Sequence, residues 1–177
     1  LAACIAAGIK HEDALSLANL AAGVVVGKSG TAVVSPGELI AAAGPAGRSA
    51  QWQQATEICA AWQKDGQRVG FTNGCFDLLH PGHLTLLASA ANQADRLIVG
   101  LNSDASVRRL KGDGRPIQSG ATRAAALAQL PFVDAVVLYE EDTPRELITA
   151  LQPDRLFKGG DYRAADVIGR DVVAARG

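Results

Sequence analysis

The chain has 177 residues, 48% hydrophobic, 20% charged and 5% aromatic, with 17 Lys and Arg against 18 Asp and Glu for a net charge of −1. That balance excludes a generally basic nucleic-acid binder, and the apolar fraction excludes an unfolded chain. The length suits one core of roughly 100–150 residues with a smaller extra segment, and no apolar run reaches the roughly 18 residues of a membrane span.

Residues 1–7 are almost continuously apolar up to Gly8, and residues 11–26 read as a helix whose Leu15, Leu17, Leu20, Ala21, Val24 and Val25 make a broad apolar surface. After Gly27-Lys28-Ser29-Gly30, residues 31–34 read as a short strand closed by Ser35-Pro36-Gly37. The Ala/Gly/Pro-rich residues 41–49 read as a linker, and residues 51–64 as a helix carrying Trp52, Ile58 and Trp62 with Gly66 past its end. From Arg68 onward strands and helices alternate. Strands are expected at 69–72, 96–101, 134–138 and 155–158, with helices at 83–93, 103–110, 120–130 and 144–151. Within residues 96–101, Leu97 to Leu101 form an unbroken apolar run of the kind buried on both faces of a parallel sheet. The alternation predicts an α/β, Rossmann-like, doubly wound parallel sheet with its ligand crevice beyond the carboxyl ends of the strands.

The three cysteines, Cys4, Cys59 and Cys75, are scattered and odd in number. They supply neither a disulfide framework nor a metal-ligand spacing, and a reducing cytoplasm suits them. The chain starts at Leu1 and contains no Met, as expected of a piece of a longer protein.

The densest polar cluster, Thr72-Asn73-Gly74-Cys75-Phe76-Asp77-Leu78-Leu79-His80-Pro81-Gly82-His83, follows the first strand of the alternating region. Pro81 suits the first turn of a helix, Gly82 permits close backbone approach, and His80 and His83, three apart, can share a face there. A helix N-terminus attracts anions, and two imidazoles beside it are placed to hydrogen-bond phosphate oxygens. Zinc is the competing reading for the pair, but no third ligand stands at a usual spacing. Asp77 has a helix-capping alternative, Arg108 and Arg109 suit a solvated helix face, and Arg123, next to three alanines, has a solvated alternative of its own. Cys75 invites a nucleophile reading that direct transfer does not need.

The run Gly74-x-Phe76-Asp77-x-x-His80-x-Gly82-His83 resembles the HxGH signature of the cytidylyltransferase-like nucleotidyltransferases. Further matches follow in order: Asn102-Ser103-Asp104, Arg108-Arg109-Leu110-Lys111-Gly112, Arg115-Pro116, Arg123 and Lys158-Gly159-Gly160-Asp161-Tyr162. Together they are most similar to the adenylyltransferase domain of the bifunctional heptose kinase/adenylyltransferases of lipopolysaccharide core synthesis. Residues 20–32 and Val34-Ser35-Pro36-x-Glu38-Leu39 resemble the end of the ribokinase-like domain of that family. The resemblance divides the chain into a kinase-domain remnant (1–40), a linker and helix (41–66) and a nucleotidyltransferase domain (67–177).

The resemblance implies transfer of AMP from ATP, with Mg2+, to heptose 1-phosphate, giving ADP-heptose and pyrophosphate. His80, His83 and Lys111 are then the catalytic residues. Asn73, Gly74, Phe76, Asp77, Gly82, Asp104, Arg123, Lys158, Gly159, Gly160 and Asp161 line the nucleotide, and no protein metal ligand is implied. It further implies a cytoplasmic homo-oligomer in the full-length enzyme, with no nucleic-acid or membrane partner. The family's Gly-Ala-Gly-Asp kinase motif is expected before Leu1, and a Ser/Thr segment of the triphosphate site after Gly177. Kinase activity is therefore not expected of this chain, and its nucleotidyl transfer is expected to be weak. A cytidylyltransferase acting on a polyol or choline phosphate, and a nucleotide-binding module without activity, are the alternatives.

Overall fold

A computed structural model describes residues 11–26, 33–34, 44–160, 163 and 167–176. Helix α1 (His11–Val26) is followed by α2 (Gly44–Lys64), β1 (Val69–Gly74), α3 (Pro81–Ala91), β2 (Arg96–Asn102) and α4 (Asp104–Lys111). Then come α5 (Gly120–Ala128), β3 (Ala135–Tyr139), α6 (Arg145–Leu151), β4 (Arg155–Leu156) and α7 (Arg170–Ala174). Among the described residues no helix is long and apolar enough to cross a membrane.

The four strands form one sheet in the order β3-β2-β1-β4, every pairing parallel. The chain winds outward from β1 through β2 to β3, then returns to place β4 on the other side of β1. The direction of winding therefore reverses at β1, and the crevice lies at the carboxyl ends of β1 and β4. Side chains alternate between the two faces, as the two-residue period of a strand requires. Val69, Phe71, Ile98, Val137 and Tyr139 pack with Ala55, Cys59, Leu147, Ile148 and Leu151 from α2 and α6. Leu97, Val99, Leu101 and Leu138 pack with Leu87, Ala90, Ala124 and Leu127 from α3 and α5. Gly100 has the Phe71 ring so close that a Cβ would stand 2.6 Å from it, so β2 needs a glycine there for the aromatic ring of β1 to lie across it.

The α/β doubly wound architecture stands as the sequence suggested, with local differences: β4 ends at Leu156, short of the expected 155–158, and α3 starts at Pro81, two residues before the expected start. Helix α2 begins at Gly44, inside the stretch that reads as a linker; a proline is tolerated in a first helical turn, and Ala46 and Ala50 favour helix. Val33 and Val34 lie outside any strand, and the remainder of the strand expected at 31–34 lies outside the described residues. The five-residue α7 has no counterpart in the sequence pattern, being too short for helical periodicity to register. Helix α2 is a working part of the sheet's cover. Its Trp52 indole donates to the Leu138 carbonyl at 2.8 Å, and the Cys59 thiol, fully buried, donates to the Leu151 carbonyl at 3.2 Å.

Candidate active site

The backbone first makes the site. Phe76, directly after β1, takes a left-handed conformation with φ 44°, uncommon for a residue with a side chain. That turn sends its ring into the α3/α5 core and against His83, with ring centroids 5.0 Å apart. Helix α3 then starts with Pro81 in its first turn and His80 as its extended N-terminal cap. The His80 carbonyl accepts the His83 amide at 2.9 Å and the Leu84 amide at 3.2 Å. The two imidazoles stack with centroids 3.8 Å apart and planes 25° from parallel. A Cβ on Gly82 would come within 3.1 Å of the His80 ring, so glycine at that position leaves room for the stack.

Stacking has an electrostatic consequence. Burial, and next the charge of His80, hold His83 below the ordinary imidazole range. Its ring is therefore largely neutral at pH 7, and an incoming polyanion reverses that bias by favouring the charged form. Both histidines line a cavity of about 440 Å³ with Asn73, Gly74, Phe76, Gly82, Lys158 and Gly159. A second cavity of about 380 Å³ is lined by Cys75, Asn102, Lys111, Tyr139 and Asp142 among others, and shares Asn73, Gly74 and Lys158 with the first.

Lys158 stands where the two cavities meet. It follows β4, and its ammonium donates to the side-chain and backbone carbonyls of Asn73 at the end of β1. Burial pulls its pKa down from 10.5 to about 8. Lys111, the last residue of α4, reaches the second cavity from the other side.

Asp77 and Arg123, both expected at the nucleotide, are instead engaged with the protein. The Asp77 carboxylate is 4% exposed and accepts from Arg115 Nη1 at 2.6 Å, the Ile117 amide at 2.7 Å and the Gln118 amide at 3.1 Å. These contacts hold its carboxyl below the ordinary range although burial pushes it up, and they tie the 115–118 loop to the β1–α3 turn. Arg123 is 1% exposed. It donates to the Gln118, Cys75 and Asn102 carbonyls at 3.0, 2.5 and 2.9 Å and to the Asp104 carboxylate at 2.6 Å. It thus clamps the ends of β1 and β2 together, with Asp104 at the start of α4 as its anionic partner. Gly160 has open space where a Cβ would stand, and Asp161 lies outside the described residues.

Tyr139 carried no signal in the sequence reading. It ends β3 directly beside Asn102 in the sheet and is 1% exposed. The available clue was a hydroxyl-bearing aromatic at the carboxyl end of an otherwise aliphatic strand.

Among the described residues no group of three His, Cys, Asp or Glu side chains converges as a metal site. The nearby carboxylates are committed: Asp77 to Arg115, Asp104 to Arg123 and Asp142 to Arg109. Mg2+ keeps its waters and favours phosphate oxygens, and so asks for few protein carboxylates.

A parallel sheet whose winding reverses at β1, with paired histidines opening a helix at that point, gives an α/β crevice suited to anions. The cytidylyltransferase-like family matches residues 71–174, and the chain belongs to it. It is 53% identical over 183 residues to the bifunctional protein HldE of Rhodospirillum rubrum, covering 100% of this chain and 37% of that protein. The HldE proteins of Rhodopseudomonas palustris and Caulobacter sp. strain K31 are 52% and 54% identical, each again covering all of this chain and 38% of the relative. The chain thus spans little more than a third of the length of these curated relatives. Among solved structures, a lipopolysaccharide core biosynthesis protein from Thermoplasma volcanium GSS1 aligns with a TM-score of 0.47 at 27% identity, over 51% of this chain and 72% of that one.

Proposed function

We propose that this chain carries the adenylyltransferase activity of a bifunctional enzyme, moving AMP from ATP to D-glycero-β-D-manno-heptose 1-phosphate for lipopolysaccharide core synthesis. The observation that carries the reading is the stacked His80–His83 pair at the start of α3, lining a cavity that Lys158 also lines. The whole-chain similarity to bifunctional HldE proteins supports the choice of substrates.

An oxygen of the sugar phosphate attacks the α-phosphorus of ATP in line. The bond from that phosphorus to the bridging oxygen breaks, and pyrophosphate leaves with the electron pair. No covalent bond to the protein forms. His80 and His83 donate hydrogen bonds to phosphate oxygens as charge shifts toward the leaving group, joined by the positive end of α3. Lys158 and Lys111 neutralise the phosphates from the two cavities, and Asn73, Gly74, Gly82 and Gly159 give close contact along the nucleotide; Asp161 belongs to the same loop. Asp77 and Arg123 hold the surrounding loops in place. Mg2+ bound to ATP would supply charge screening of its phosphates.

The same reading places residues 1–40 in a ribokinase-like unit and 67–177 in the transferase, in a cytoplasmic homo-oligomer. The test is pyrophosphate release with ATP, CTP or UTP and heptose 1-phosphate. Release with ATP is expected, a preference for CTP overturns the adenylyl assignment, and nucleotide binding without release with any pair leaves a binding module.

A further inference from the structure

Along the wall of the second cavity runs a chain of hydrogen-bonded side chains, buried at Tyr139, Asn102 and Ser106 and half-buried at Asn73. The Asn73 amide nitrogen donates to the Tyr139 hydroxyl at 2.8 Å, and Tyr139 donates to the Asn102 side-chain oxygen at 2.9 Å. The Asn102 amide nitrogen donates to Ser106 Oγ at 3.0 Å, and Ser106 donates to the Glu141 carbonyl at 3.1 Å. At the head of this chain, Lys158 donates to the Asn73 side-chain oxygen.

The direction of every bond follows from its two ends. A backbone carbonyl only accepts, so Ser106 must donate to Glu141 and is left to accept from Asn102. Asn102 then presents nitrogen to Ser106 and oxygen to Tyr139. The Tyr139 proton goes to Asn102, which leaves the phenol oxygen to accept from Asn73, and the Asn73 oxygen must face Lys158. An ammonium only donates, so the far end agrees with the near one. The chain has a single self-consistent orientation.

We propose that Tyr139 is a positioning residue: by bridging Asn73 and Asn102 it fixes the Asn73 amide with its oxygen toward Lys158 and so sets the ammonium where the two cavities meet. Burial pushes the Tyr139 phenol up to about 12, so the hydroxyl keeps its proton at any pH at which the protein is used. Removing that hydroxyl cuts the relay in its middle while the ring still fills the space beside α2. The effect on transfer rests on the proposed function; the effect on Lys158 does not.

The experiment follows the ammonium directly. In the ligand-free 177-residue chain, the lysines carry 13C at Cε and are titrated by NMR, with Lys158 assigned from Lys158→Arg. Tyr139→Phe is expected to move the Lys158 midpoint by half a pH unit or more and to leave Lys111 unchanged. Ser106→Ala, which frees Asn102 to turn over, is expected to move it in the same direction by less. With ATP and heptose 1-phosphate present, Tyr139→Phe is expected to lower kcat/KM about tenfold, the scale of one hydrogen bond to a charged group. A lower melting temperature with the Lys158 midpoint unmoved overturns the proposal. If Tyr139→Phe does not fold, an unmoved midpoint in Ser106→Ala overturns it equally. A moved midpoint upholds the positioning role even where the wild type shows no transfer; if a chain extended beyond residue 177 shows none either, the adenylyltransferase reading falls instead.

Discussion

Arg123→Met removes the guanidinium while keeping much of the side chain's length and apolar bulk. Three carbonyls and one carboxylate lose a donor. Of the residues bearing the carbonyls, Asn102 is fully buried, at 3% exposure, while Cys75 and Gln118 are half-buried. The Asp104 side chain is 36% exposed and regains water, which moves the loss to the low end of that for breaking a buried ion pair, about 3 kcal/mol. For a domain of this size such a loss lowers the melting temperature by roughly 6–12 °C. Urea unfolding followed by circular dichroism measures it, with an unchanged slope showing that the unfolded state is the same. A loss under about 1 kcal/mol would refute the clamp, since water would then replace the guanidinium at little cost. Pairing the change with Asp104→Asn sharpens the test. The double variant should lose at least about 1 kcal/mol less than the sum of the singles, whereas additivity would mean that the ion pair carries none of the effect.

Gly82→Ala should shift the His80 ring within its stack by a few tenths of an ångström, lowering transfer several-fold through misplacement, with ATP affinity by calorimetry changing less; an unaltered rate counts against the stacked pair as the working geometry. For Lys158, the folded-state pKa of about 8 lies below the 10.5 of an unperturbed lysine. Between those values the unfolded chain binds more protons, so this residue's contribution grows more favourable as pH rises from about 8 to 10.5, and below 8 it is constant and unfavourable. Lys158→Met is therefore expected to be more stable than wild type at pH 7, with the gap closing toward pH 10; a gap independent of pH contradicts the burial of a charged ammonium. Finally, a chain beginning at residue 67 should lose cooperative unfolding because one sheet face is left without α2, while a chain beginning at residue 44 should keep it. Equal midpoints for the two would show that α2 is dispensable.

The strands are legible because residues 97–101 and 135–138 are unbroken apolar runs, and the helices because their apolar residues return at helical spacing. The HxGH segment was legible because two of the chain's three histidines fall three residues apart beside a proline and a glycine. What escaped was direction. Arg123 lies on the same stripe as Gly120, Ala124 and Leu127, all of them buried, so its place in the pattern pointed inward even though its charge suggested water. No pattern in sequence, however, announces that four acceptors wait there. The Asp77 contacts are not legible because its partners at 115–118 are some forty residues away. The start of α2 was obscured by Gly44 and Pro45, which resemble a linker until a sheet face requires cover.

The place of β4 bears on how the cleft comes into being during synthesis. Gly70 and Phe71 pair with Arg155 and Leu156, so one edge of the central strand waits for a segment 85 residues downstream. Strand β2 is complete at Asn102, and the ribosome needs roughly 3–10 s more, at about 5–20 residues per second, to reach β4. Through that interval β1 presents open backbone groups of the kind that recruit a wrong partner. Lys158 emerges two residues after the strand that closes this edge. A nascent chain therefore acquires Lys158 only as its exposed edge disappears, so the lysine enters the two cavities when the sheet is already finished.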